Sequence, residues 1–78
     1  MNKNEIMKLC VESCIDGMKN HEGGPFGCAI VKDGEVIAVA HNTVIKTNDP
    51  TAHGEVNAIR EACKKLNTFD LSGCELYT

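Results

Sequence analysis

Seventy-eight residues hold one small domain, with no room for a second core. Apolar residues (AVILMFWYC) make up 42% of the chain, which argues against disordered, collagen-like and low-complexity classes. A net charge of −3 supplies no field to draw the chain onto nucleic acid or an anionic membrane, although a nucleic acid substrate held by a few local contacts stays open.

No apolar run approaches the ~18 residues of a membrane span. Met1-Asn2-Lys3-Asn4-Glu5 passes straight into an amphipathic pattern with no apolar signal core, so the expected compartment is the cytoplasm. The cysteines Cys10, Cys14, Cys28, Cys63 and Cys74 form an odd set inside apolar patterns. They read as small buried hydrophobes in a reducing compartment rather than as a disulfide framework. Chains this short rarely draw more than ~3–5 kcal/mol from a single core without a metal, a disulfide or a partner. Such help is expected here, since Trp is absent and aromatic residues are few.

From about Asn4 to Lys19, Ile6, Leu9, Cys10 and Ser13/Cys14 recur at helical spacing, and Met7, Val11, Ile15 and Met18 widen the stripe. This predicts an amphipathic helix with a broad buried face. Asn20 to Pro25 breaks it with two glycines and a proline. Phe26 to Val31 and Val36 to Ala40 are continuous apolar runs, suited to strands covered on both faces. Asp33-Gly34 between them suits a two-residue type I′ turn, whose central residues need positive φ, so a β-hairpin with helices above and below is expected. His41 to Asp49 reads as a polar, turn-like connection interrupted by Val44-Ile45. A second helix is expected to begin near Asp49-Pro50, with Asp as cap and Pro in the first turn. It would run through Ala52, Val56, Ile59, Cys63 and Leu66. After a turn at Asp70 to Gly73, Cys74 to Thr78 opens as a strand. The order helix, hairpin, helix, strand is α/β, read as the N-terminal half of a larger α/β domain.

The informative stretch is Asn48-Asp49-Pro50-Thr51-Ala52-His53-Gly54-Glu55. Two positions on a helix differ by about 200° of rotation, so His53 and Glu55 could converge only on something off the helix tip. That end offers unpaired amides and a positive dipole, which favour an anionic ligand. A bare His-x-Glu triplet equally describes a first-turn polar residue beside a dipole-complementing acid on the surface, and one histidine is a single ligand of the three that a catalytic zinc needs. Asn42 after a strand has the ordinary reading of a turn former. Phe26 alone reads as core. Cys10 and Cys14, at i, i+4, read as packing, and Cys63 lies roughly 15 Å along the axis from His53.

His-x-Glu at a helix start after a hairpin is the first half of the zinc-deaminase signature, in which Glu is the acid/base and not a ligand. The chain resembles the cytidine deaminase superfamily over its whole length, most of all its bacterial guanine deaminase branch. The matching segments are Gly23-Gly24-Pro25-Phe26-Gly27, Val31-Lys32-Asp33-Gly34, the run from Asn48 to Cys63, and Cys74-Glu75-Leu76-Tyr77-Thr78. The resemblance implies an incomplete cytidine-deaminase-like α/β/α sandwich, with residues 1–78 the N-terminal part of a single zinc-dependent deaminase domain. It implies His53 as a zinc ligand and Glu55 as the catalytic proton shuttle. Asn42, Phe26 and Ala52 are implied as substrate-binding residues. The two cysteine ligands of the family's P-C-x-x-C segment are expected downstream of Thr78. The implied reaction is hydrolytic deamination of guanine to xanthine and ammonia, with the 78 residues alone inactive. The implied partners are a free purine base and a second copy in a homodimer. Cytosine or tRNA adenosine deamination is the runner-up, and a non-catalytic half-domain that persists by oligomerising is the alternative outside enzymes.

Overall fold

The computed structural model describes all residues 1–78. Asn2 starts the fold: its side chain accepts from the Glu5 amide while the Glu5 carboxylate accepts from the Asn2 amide. This reciprocal capping opens helix α1, Lys3–Lys19. Strands β1, Gly27–Lys32, and β2, Glu35–His41, follow as an antiparallel hairpin. Asp33 and Gly34 both have positive φ, 51° and 78°, as the type I′ expectation requires. Next come a single turn of helix, α2 (Val44–Thr47), then α3 (Gly54–Leu66) and strand β3 (Cys74–Tyr77). β3 pairs antiparallel with β1, giving the sheet order β2-β1-β3.

The two continuous apolar runs do lie between helices. Cys28 and Ile30 pack with Ala38, Ala58 and Ala62 on the α3 face, while Ala29 and Val31 pack with Ile6 and Cys10 on the α1 face. The pairing shifts between Ile30↔Ala38 and Val31↔Val36, leaving Ile37 as a bulge residue. Ile37 and Ala38 consequently pack toward the same α3 side, the phase slip that an inserted residue produces.

Four expectations need correction. The first strand begins at Gly27, and Phe26 is 58% exposed because it lies before the pairing with β2 starts. The buried face of α1 is narrow: Ile6, Cys10 and Gly17 are buried, whereas Met7, Val11, Ile15 and Met18 are exposed. One sheet face can cover only one side of a helix. On α3 the buried positions are Gly54, Ala58 and Ala62, and Ile59 is partly out. Small residues let that helix approach β1 and β2, and Ile59 instead lines a shallow groove with Leu71 and Leu76 beside β3. Finally, α3 begins at Gly54 and not near Asp49, for a reason that belongs to the site.

Candidate functional site at the start of α3

Asp49 does cap an amide with its side chain, but the amide belongs to a turn. Its Oδ1 accepts from the Thr51 N–H at 2.9 Å and the Thr51 hydroxyl at 2.8 Å, an Asx turn. These bonds hold the Asp49 carboxyl below its ordinary pKa, with a smaller contribution from Arg60. The chain then runs extended through His53 (φ −70°, ψ 158°), which is the N-cap of α3 and makes no side-chain capping bond. The amides of Gly54, Glu55 and Val56 therefore open the helix without a side-chain acceptor.

Because His53 is extended and not helical, the 200° separation does not apply to it. Its Nδ1 lies 3.3 Å from Glu55 Oε1, so the pair meets directly at the helix tip. Both side chains are about half exposed, 55% and 47%, so their attraction contributes little to stability.

Three segments converge here through their backbones. The Asn42 amide donates to Phe26 O and the Thr43 amide to Ala52 O, each at 3.0 Å. Phe26, Asn42, His53 and Glu55 together line one cleft of about 240 Å³. Sites for drug-sized ligands start near about 300 Å³, so this one suits a single small ring system. Ala52, expected in the pocket, does not line the cleft; it is 2% exposed, with its carbonyl occupied by Thr43 and by Asn57.

Asn42 is 8% exposed. Its Oδ1 accepts from the Val44 amide at 3.1 Å and the Gly24 amide at 3.4 Å. Two N–H donors at one atom settle which end of the amide is oxygen. Nδ2 makes no bond within the chain, yet no buried side-chain polar atom lacks a partner, so Nδ2 keeps some exposure on a residue that lines the cleft. Gly23 makes this packing possible, since a Cβ there would overlap both Asn42 Oδ1 and the Asn42 carbonyl.

The supports of the site were less legible than its lining. Asn57, on α3, donates from Nδ2 to His41 O and Thr43 Oγ1, both at 2.9 Å, and reaches Ala52 O at 3.3 Å. Asparagine is a poor helix former, and its place inside the second helix was the available signal. Glu22 and His41, neither given a role from sequence, are joined by a hydrogen bond between the Glu22 carboxylate and His41 Nε2.

An imidazole is an ordinary zinc donor, and His53 has no polar side-chain partner besides Glu55. No three His, Cys, Asp or Glu side chains come together to hold a metal. Burial pushes the Cys28 thiol up to about 11, with the Glu55 carboxylate adding to it, and burial raises Cys10 as well. These thiols stay protonated and are poor metal donors. A closed zinc site therefore does not fit on these 78 residues alone; one donor is in place.

The sequence profile described as the cytidine and deoxycytidylate deaminase zinc-binding region matches residues 1–78. The chain belongs to the cytidine and deoxycytidylate deaminase family. It is 50% identical to guanine deaminase of Bacillus subtilis (strain 168) over 78 residues, all of this chain and 50% of that protein. It is 47% identical to a tRNA-specific adenosine deaminase of Aquifex aeolicus (strain VF5) over 77 residues, covering 99% of this chain and 50% of the relative. The X-ray structure of the Bacillus subtilis guanine deaminase superposes with a TM-score of 0.93 at 49% identity, over 99% of this chain and 49% of the solved one. The chain thus spans about half the length of the relatives it matches. Within this deaminase family fold, no helix of the chain is long and apolar enough to cross a membrane.

Proposed function

We propose that this chain is the N-terminal part of a zinc-dependent hydrolase that deaminates a free purine base, guanine, to xanthine and ammonia. The observation that carries the reading is the convergence of Phe26, Asn42, His53 and Glu55 on one small cleft at an uncapped helix tip. His53 is the imidazole ligand, and two thiolates from chain following Thr78 complete the set. Zinc, when bound, supplies a water acidic enough to ionise near neutrality.

The residues of this chain do the rest. Phe26 covers a ring face. Asn42 Nδ2–H donates to an acceptor on the base and fixes which carbon faces Glu55. Ala52 closes the floor behind the site. Glu55 takes a proton from the attacking water and delivers it to a ring nitrogen, then helps the exocyclic amine leave as ammonia. One carboxylate suits both transfers because water and ring sit within its reach. The 78 residues alone, with one donor of three, are inactive. The complete protein is a cytoplasmic homodimer in purine metabolism.

Ammonia release from guanine by the complete protein is the test. Glu55→Gln is expected to lower kcat by about 10²–10⁴-fold, the usual worth of a general acid–base group, with zinc content unchanged. Release from the wobble adenosine of tRNA but not from guanine would move the assignment to the second reading, which the 47% identity to a tRNA-specific adenosine deaminase favours. Release from guanine by the 78 residues with added zinc would refute the ligand count.

A further inference from the structure

Glu22, in the loop between α1 and β1, makes an unusual number of connections for a surface-loop residue. Its amide donates to Gly17 O at 2.8 Å, and its carbonyl accepts from the Ile45 and Lys46 amides, both at 3.0 Å. One carboxylate oxygen meets His41 Nε2 at 2.5 Å and the other lies 3.2 Å from Lys46 Nζ. A carboxylate can only accept, so His41 Nε2 carries the hydrogen. His41 Nδ1 is then left to Ser13 Oγ, 2.9 Å away on α1.

Glu22 directly precedes Gly23-Gly24, and His41 directly precedes Asn42. The Gly24 amide reaches Asn42 Oδ1. The contacts therefore close a ring: Glu22 to His41, His41 to Asn42 through the chain, Asn42 to Gly24, and Gly24 back to Glu22. The same glutamate holds the start of α2, whose first amide, on Val44, is the second donor to Asn42 Oδ1. Both bonds that fix the Asn42 amide thus hang on segments tied by Glu22.

A serine, a histidine and a carboxylate in hydrogen-bonded series also resemble a nucleophilic triad. Here that chemistry has nowhere to act: none of the three residues lines a cavity, and the His41 ring lies against Gly17 with no room for a Cβ between.

We propose that Glu22, clamped by His41, is a positioning residue that orients Asn42 so that its Nδ2–H donors face the cleft. The hydrogen bond from His41, then that from Lys46, holds the Glu22 carboxyl below its ordinary pKa, in keeping with a charged acceptor. That Asn42 meets a purine rests on the proposed function; that the clamp orients it does not.

The test uses the ¹⁵N-labelled complete protein. In Glu22→Ala, hydrogen exchange at the Gly24 and Val44 amides, both bonded to Asn42 Oδ1, is expected to rise about tenfold or more, the equivalent of one lost bond to a charged acceptor. The two Asn42 side-chain amide protons should move toward a common, averaged position, while the Ile30 and Val31 amides of β1 change by less than about twofold. Glu22→Gln, which keeps an acceptor for His41 Nε2–H, should restore most of the protection and the Asn42 signature. Should Glu22→Ala unfold the chain, His41→Gln carries the same comparison.

An unchanged Asn42 signature, equal loosening of β1, or a Gln variant as poor as Ala would overturn the clamp. Guanine added to the complete, zinc-loaded wild-type protein separates the two ideas. A shift at Asn42 supports both. No shift, with the exchange results standing, sinks the purine reading and leaves the clamp.

Discussion

Helix α1 starts on Asn2, whose side chain and that of Glu5 close the first-turn amides at 2.8 and 2.9 Å. Helix α3 starts on His53, which caps nothing and turns toward Glu55. Both starts carry a glutamate in the first turn, so the dipole is served at each. The difference lies in the N-cap residue. Asparagine is among the best caps, and histidine is not a favoured one. An end left open, with its two polar side chains facing a cleft and not the backbone, gives up local stability that α1 keeps. Such a departure from capping rules falls where function is expected.

What steadies the open end comes from behind. Asn57 ties its Nδ2 to the end of β2, to Thr43 and to the carbonyl just before His53. Asn57→Ala leaves those acceptors short of donors and should cost about 1–3 kcal/mol, a large share of the ~3–5 kcal/mol a core this size supplies. Urea unfolding of the variant checks it. A midpoint within error of wild type would mean that water replaces Asn57 at no cost.

The two caps can then be interchanged in effect. Asn2→Ala should cost about 1 kcal/mol by removing the side-chain acceptor of the Glu5 amide, while the residue-2 amide keeps its bond to the Glu5 carboxylate. His53→Ser should do the reverse, adding about 0.5–1 kcal/mol by supplying the missing acceptor, since the half-exposed His53–Glu55 pair that it removes is worth little. The same substitution should abolish zinc retention in the complete protein. Thermal melts of the two variants give opposite shifts if α3 is left uncapped for function. A destabilised His53→Ser would show that the imidazole holds the helix start after all.

Sequence periodicity was enough for α1, the hairpin and β3, because each has one dominant signal: a helical stripe, an Asp-Gly turn between apolar runs, or an apolar segment after a turn. The start of α3 was misread because Asp49-Pro50-Thr51 carries the residue types of a helix N-terminus. Asx turns and N-caps use the same bond, a short side-chain oxygen accepting an amide two or three residues on, and composition cannot tell them apart. The short α2 went unread because Val44-Ile45 in a polar stretch has no period over one turn. His53 and Glu55 were legible as candidates from their motif, and Phe26 and Asn42 only through the family resemblance. The Glu22–His41 pair was not, since a contact between residues 19 apart in two connecting segments leaves no local pattern.

The Asx turn that displaces the start of α3 also makes it sensitive to acid. Asp49 is held below its ordinary pKa mainly by the Thr51 amide and hydroxyl, Asp70 by the Ser72 hydroxyl and amide, and Glu22 by His41 and Lys46. A carboxyl whose folded pKa is depressed contributes stability that is fully present above its unfolded value, about 3.9 for Asp and 4.3 for Glu, and is lost as pH falls through the folded one. The denaturation midpoint should therefore hold between neutrality and about pH 5 and decline below about pH 4. Asp49→Asn keeps an oxygen acceptor for Thr51 but removes the titration. Its midpoint should lie slightly lower at pH 7 and approach that of wild type near pH 3, so the two curves converge on acidification. Parallel curves would mean that the Asp49 charge plays no part in setting where α3 begins, leaving the shape of the turn alone to do so.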